Sequence, residues 1–548
     1  MIHSRRAGES EPKVGFPIIY PILIISALAV AFFSLPFSPL YNEPFNPDVS
    51  FYMTVGKGWL ENVVPYRDIL DPKGPVIFII FGILQFLSAN SFWLVFLMMV
   101  GVYFITGLFL YKIANLWYSR KVALVISIFA LAFLVSLPWA TNQRASLSAE
   151  MIFSLLMFIP IYYWLKQNIC NQPVGRHQNF LGGVIIALSF WTKFSVLIPW
   201  GLLFITTPFI ALFQKNRSKI KIWLKDTLWV GIGALITSIA VILIFLPQNA
   251  SWDMLQRYLL RSSSDRRISF ALDHIFSGWI STMQNWLNPR ILSPLGYLHL
   301  AIIVIGVIGF FAAKNLALRY KIMLTAVWLF SGLICNIYQP GATALVWTSF
   351  LVLFIIIGLQ IVKPLFKKRM IISTSLCLAL CFGLSISSFL NITDIGLAFP
   401  QGSETIQTQN KKMFNATTVS GNISVANYFC NHSRWYNKSQ AILFTPGNAA
   451  VQTNNYYQQC GTPVNKISVM YQNKFYYGFN DPDQVPKIDR RILNEVSKTQ
   501  AKQILFMFEK NPKVNKQLQH FLREGYKIKE IYQEKGPIYK NGGMLLIR

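Results

Sequence analysis

The chain is poor in charge. Of its 548 residues only 13% are Asp, Glu, Lys or Arg, whereas 53% are hydrophobic. Soluble domains carry about 25% charged residues, so a single soluble globule is excluded. Acidic side chains are the scarcest, 22 against 50 Lys and Arg, for a formal net charge of +28. Self-announcing catalytic motifs are also missing. No Gly-rich loop ends in Lys-Ser/Thr, and there is no His-Glu-x-x-His, no paired-cysteine metal site and no Gly-x-Ser-x-Gly elbow. P-loop nucleotide hydrolysis, zincin proteolysis and α/β-hydrolase chemistry therefore have no foothold. There are six cysteines and six histidines. Cys170, Cys335, Cys377 and Cys381 lie in or beside apolar segments and read as packing residues. Cys430 and Cys460 stand in a polar region, where they are either a disulfide, if that region is exported, or two thiols.

The excess of positive charge does not read as a nucleic-acid surface. The basic residues sit in short clusters between apolar runs, as the positive-inside rule expects. A nucleic-acid surface would need a basic soluble domain with a recognisable motif.

Long apolar runs extend from Phe16 to Leu390. Arg5, Arg6 and Lys13 precede an apolar stretch of about 22 residues, enough to span a bilayer and without a convincing cleavage site. It reads as a first transmembrane helix with a cytoplasmic N-terminus. Spans are expected near 16–37, 92–111, 121–138, 148–165, 180–196, 197–213, 227–246, 292–312, 321–337, 343–362 and 370–390. The segment 75–88 has about 14 apolar residues, which suits an interfacial or re-entrant helix. If it does not cross, the clusters around Arg120, Lys166, Lys219, Arg319 and Lys367 all face the cytoplasm. The expectation is a polytopic α-helical membrane protein of about eleven transmembrane helices in residues 1–391. A soluble α/β domain in 392–548 follows on the outer side. Within it, 441–444, 504–508, 526–532 and 544–547 read as strands, and 515–524 as an amphipathic helix ending at Gly525.

This threading places two large loops outside, about 38–91 and 247–291. The first packs Asp48, Asp68, Asp71, Glu61, Arg67, Lys57 and Lys73 between greasy segments. Charge is costly near a bilayer, so such a cluster is a functional-site hypothesis. If 48–52 is helical, Asp48 and Tyr52 share a face, and Asp48 is a helix N-cap, a general base for an acceptor, or both. The proline-stiffened run from Pro65 to Pro75 would hold Arg67 or Lys73 at headgroup depth, to bind a lipid phosphate or simply to snorkel. In the second loop Arg257 and Arg261 are four apart and break the positive-inside pattern. They bind phosphate or balance Asp253, Asp265 and Asp273. Glu150 and Lys193 lie near the outer ends of their spans. Of the histidines, His274 alone is well placed for the outer site.

These motifs resemble a known family. Asp48 with Tyr52 after the first span, Gly58, Val64-Pro65-Tyr66-Arg67-Asp68, Asp71-Pro72-Lys73-Gly74-Pro75, and Gly182-Gly183 followed by Thr192-Lys193 and Pro199 resemble GT-C fold glycosyltransferases of the protein O-mannosyltransferase and aminoarabinose transferase type. The resemblance covers about residues 10–390. It implies a polyprenyl-phosphate-linked sugar donor and no nucleic-acid partner. The acceptor would be an extracytoplasmic glycan, lipid or protein, and the site would lie on the outer face of the inner (cytoplasmic) membrane. It implies Asp48 as catalytic base, with Asp71 near the second acidic position. Lys73 and Arg67 would bind the donor phosphate, helped by Arg257 and Arg261. Tyr52, Asp68, Glu150 and Lys193 are the further substrate-binding candidates. Many relatives carry a second acid directly after the first. Here it is Val49, which argues against a divalent metal held by an adjacent acidic pair. Two other classes compete: a transporter or flippase of lipid-linked sugars, expected to bury charge in repeated spans near the midplane, and a non-enzymatic membrane assembly subunit.

Overall fold

A computed structural model describes residues 16–35, 38, 47–68, 73–87, 92–136, 149–213, 217–261, 294–338, 346, 349–362, 428–437, 440–444, 501–509, 516–533 and 541–548. The chain divides into two compact units. The first comprises Met1–Glu43, Val95–Val241 and Ile268–Leu397; the second comprises Pro44–Leu94, Ile242–Arg267 and Ala398–Arg548.

Apolar helices dominate. The first five are α1 (Phe16–Ser34), α2 (Pro47–Leu60), α3 (Pro75–Leu87), α4 (Phe92–Ala114) and α5 (Arg120–Ser136). Among the described residues five helical segments are long and apolar enough to cross a bilayer: Trp93–Ala114, Ala149–Asn168, Phe194–Leu212, Ser218–Gln248 and Leu318–Cys335. The chain is a multi-pass membrane protein. The expected span 370–390 lies outside the described residues. α3 has 13 residues, about 20 Å of helix, which is too short for a hydrocarbon core of about 30 Å.

Within the first unit, α1 packs on α5, Phe158–Asn168 on Arg176–Phe190, and Pro294–Ala312 on Leu351–Gly358. A hydrophobic stripe cannot drive packing where lipid is equally apolar, so small residues let backbones approach. A Cβ on Gly183 would lie 2.1 Å from the Val230 carbonyl oxygen, and one on Gly233 2.3 Å from that of Phe180. The glycine pair of the sequence motif is thus a helix crossing. One boundary differs from expectation. The break placed at 196–197 falls at Trp191–Lys193, where Lys193 is extended (φ −163, ψ 110) and a 3-10 turn Phe194–Leu197 follows. Thr192 and Lys193 still satisfy their N–H groups on Ser189, at 3.1 and 2.8 Å. The Ser189 carbonyl, one of the acceptors a helix end would orphan, therefore accepts twice, and an apolar count alone does not detect the break.

The tail carries a four-stranded sheet, β1 (Ala441–Phe444), β2 (Gln503–Glu509), β3 (Lys527–Gln533) and β4 (Asn541–Ile547), in the order β1-β2-β4-β3. β1 and β2 are parallel, and the other two pairs are antiparallel. Phe429, Leu505 and Leu545 are fully buried on it. The helix Lys516–Arg523 buries Leu518 and Phe521. It ends in a Schellman motif: Tyr526 N–H bonds the Phe521 carbonyl, Gly525 N–H bonds that of Leu522, and Gly525 has φ +94. Cys430 is disulfide-bonded; Cys460 lies outside the described residues.

Candidate functional site

The outer-loop motif is built in the second unit from α2, α3 and the end of the long helix Arg217–Phe245. α2 opens at Pro47, where a missing N–H costs nothing and φ is already helical. Asp48 follows it in the first turn, one turn before Tyr52. Of Asp48 only the backbone is described. The helix closes in a second Schellman motif. Val63 N–H bonds the Gly58 carbonyl at 2.8 Å, and Asn62 takes the left-handed position with φ 68. α2 and α3 then run in backbone contact, for a Cβ on Gly56 would lie 2.6 Å from the Phe81 carbonyl oxygen.

The run 64–68 is locked by its own acid. One Asp68 carboxylate oxygen accepts Val64 N–H at 2.9 Å and two Arg67 donors, Nη2 at 2.8 Å and Nε at 3.1 Å. The Arg67 guanidinium also reaches the carbonyls of Gln248 and Asn62, both at 3.3 Å. The hydrogen bond to Asp68 pushes the Arg67 pKa further up. Both residues therefore brace the turn, although Arg67 keeps an exposed face (42%). Tyr66, left-handed at φ 69, is buried between Phe78 and Phe245, at 5.7 and 5.6 Å between ring centroids. Its hydroxyl donates to the Lys73 carbonyl at 2.5 Å. Trp59 stacks on Phe245 at 4.9 Å and donates to the Gln248 side chain at 2.7 Å.

This frame presents Lys73. Its ammonium lies 4.6 Å from the Tyr52 ring centroid and 5.1 Å from that of Phe51. Both rings are 1% exposed and hold the cation by their π faces. Tyr52 and Lys73 are thus brought together, with Asp48 on the helix that carries Tyr52. Asp71 lies outside the described residues. Half-buried Lys57, later on α2, has its pKa pushed down by burial against the opposing pull of Glu61. Arg257 and Arg261 both fall in a π-helical turn, Gln256–Arg261, after the short helix Ser251–Leu255; Arg257 is partly buried.

The first unit joins two other candidates. Lys193 and Glu150 form an ion pair, with side chains 18% and 7% exposed. It also holds a residue that motif reasoning passed over. His299 is buried, with Nε2 2.8 Å from Ser136 Oγ and its ring 5.5 Å from that of Phe133. His274, which the threading sets on the outer side with a structural role as its first reading, lies outside the described residues. The Trp59–Gln248 and Tyr66–Lys73 links were missed too. The only local hint was polar Gln248 directly after Pro247 at the end of an apolar span. Among the described residues no three His, Cys, Asp or Glu side chains converge as metal ligands would.

No family model matches the chain, and no curated protein matches it in sequence. Among solved structures the chain is similar to the crystal structure of ArnT from Cupriavidus metallidurans bound to undecaprenyl phosphate. The TM-score is 0.56 at 8% identity, over 97% of this chain and 98% of that one. The fold is the GT-C membrane fold expected from the motifs.

Proposed function

We propose that the protein is an inverting glycosyltransferase that moves a sugar from a polyprenyl-phosphate donor to an extracytoplasmic lipid, glycan or protein. One observation carries the reading: the Lys73 ammonium is held over Tyr52, one helical turn from Asp48, in a chain with the fold of a protein crystallised with undecaprenyl phosphate. A membrane site for a phosphate on an apolar chain needs a fixed cation beside greasy walls, and Phe51, Tyr52 and Lys73 supply both.

In the proposed reaction an acceptor hydroxyl or amine attacks the anomeric carbon as the bond to the lipid phosphate breaks. The acceptor proton passes to the Asp48 carboxylate. The electron pair leaves on the phosphate, whose growing charge Lys73 stabilises. Products are the glycosylated acceptor and free polyprenyl phosphate, with inversion because no enzyme nucleophile intervenes. The reading further takes the membrane as the bacterial inner membrane, the N-terminus as cytoplasmic and the domain 392–548 as extracytoplasmic. The disulfide at Cys430 supports an oxidising compartment for the tail.

The test is a transfer assay with purified protein and polyprenyl-phosphate sugars. Asp48→Asn is expected to fold normally and to lose about 10²–10⁴-fold in kcat, the usual weight of a general base. Lys73→Ala should raise KM for the donor about ten- to a hundredfold, as loss of a charge-assisted hydrogen bond does. Full activity of the Asp48 variant would refute the assignment.

A further inference from the structure

A cavity of about 540 Å³ opens in the first unit between the helices Phe158–Asn168, Arg176–Phe190 and Arg217–Phe245. The outer-loop chemistry does not use it, and its size falls within the range of ligand sites, about 300–1,000 Å³. Its lining runs along the helix Phe158–Asn168 from Pro160 to Asn168, through the loop 171–175, and along the next long helix from Lys219 to Val230, so a polar end at the loop passes into an apolar, aromatic interior. Ile222 in the lining is 50% exposed, so the cavity opens to an apolar part of the helix surface.

The lining carries both signs of charge. Asp226 is held by two neutral amides: Asn179 Nδ2 donates to one oxygen at 2.6 Å, and Gln167 Nε2 donates to the other. Among the described residues no cation lies within ion-pair distance of it. Amides orient a carboxylate but do not neutralise it; the neighbouring Lys225 acts on it through its charge, and a half-buried carboxylate beside an apolar cavity at the end of a span points to function. Around it stands an aromatic wall. Trp200 stacks on Phe204 at 4.9 Å, and Phe204 meets Trp223 at 5.3 Å. The Trp223 indole N–H is buried without a hydrogen-bond partner, whereas Trp164 in the same wall donates to Thr207 at 2.7 Å. Arg176, Lys219 and Lys225 line the cavity as well.

We propose that this cavity binds a phospholipid whose headgroup carries a primary ammonium, of the phosphatidylethanolamine class. The ammonium would meet Asp226 and the aromatic faces, the phosphodiester would meet the basic residues and the Trp223 N–H, and the chains would leave past Ile222. A purely anionic headgroup would satisfy the basic side chains but bring no donor of positive charge to Asp226. A simple cation would face three basic side chains.

The experiment is native mass spectrometry of the full-length protein in detergent, titrated with three lipids of equal chain length: phosphatidylethanolamine, phosphatidylglycerol, and phosphatidylethanol, which lacks the ammonium. Phosphatidylethanolamine is expected to bind about tenfold better than the other two, the order set by one charge-assisted hydrogen bond. Asp226→Asn should abolish that preference, and Trp223→Phe should weaken all phospholipids while keeping it. Equal binding of the three lipids by the wild-type protein, or a preference for phosphatidylglycerol, overturns the proposal without recourse to any variant. So does a preference that survives Asp226→Asn. Soluble glycerophosphoethanolamine is the last arm. It should compete poorly because it lacks chains; full competition would assign the cavity to a soluble metabolite and end the lipid reading.

Discussion

The Tyr66 hydroxyl donates to the backbone carbonyl of Lys73, so its role is to position rather than to react. Tyr66→Phe leaves the ring packing against Phe78 and Phe245 intact. It removes about 0.5–1.5 kcal/mol of hydrogen bonding from the loop that aims the ammonium. The expected outcome is a donor KM raised several-fold with kcat nearly unchanged, measured in the transfer assay. A variant equal to wild type in both constants would show that the ring alone fixes Lys73. At this scale the sequence was half legible. Asp48, Tyr52 and Lys73 stood out because charge is rare in the chain and proline stiffens the run between them. Asp68 and Arg67 were legible as chemistry but not as bracing, since their partners Val64, Asn62 and Gln248 are backbone groups that no side-chain motif announces.

Between elements, the tightest contact near the site is Gly56 of α2 against Phe81 of α3. Adding one methyl group by Gly56→Ala places a Cβ 2.6 Å from a carbonyl oxygen, so the helices must part. Overpacking of this kind costs about 1–3 kcal/mol, and here it moves α2, which carries Asp48 and Tyr52, away from the helix that starts two residues after Lys73. Expected are a lower melting temperature and a fall in kcat, read by thermal unfolding and by the transfer assay on the same preparation. The elements themselves were largely legible. Apolar length located the five described helices long enough to span, while α3 shares the shorter class with Ile18–Ser34 and His299–Ala312. In the tail, β-rich runs and the stop at Gly525 gave the four described strands and the helix Lys516–Arg523 to within a few residues. The misplaced break at 196–197 has a different cause. Lys193 finds its partner Glu150 more than forty positions upstream, and no window of hydropathy contains both.

For the molecule as a whole, the proposal depends on which face of the membrane each part occupies. In the proposed reading the basic clusters face the cytoplasm, with α3 and the tail on the outer side. A reporter active only outside the cytoplasm, fused after Arg548, should be active. The same reporter placed in the loop near residue 215 should be silent. The reverse pattern would turn the outer-loop site toward the cytoplasm and remove the proposed acceptor side. The strands of the tail stood out as a change in composition. Which loops pack on which was not legible, because the Trp59–Gln248 link joins parts of the chain 189 residues apart.

The Glu150–Lys193 pair also bears on how this protein is made. Glu150 reaches the bilayer on the helix Ala149–Leu156 and Lys193 in the extended break after Arg176–Phe190, and either charge alone is expensive there. The two helices are therefore best inserted as a hairpin, with Lys193 meeting a carboxylate already waiting for it. Breaking a buried pair costs about 3–5 kcal/mol, while replacing both partners is often nearly neutral. Glu150→Gln or Lys193→Met alone should accumulate poorly in membranes, and the double variant should recover. Quantifying full-length protein in isolated membranes would read this directly. Equal abundance of all four chains would mean that the pair forms only after assembly and plays no part in biogenesis.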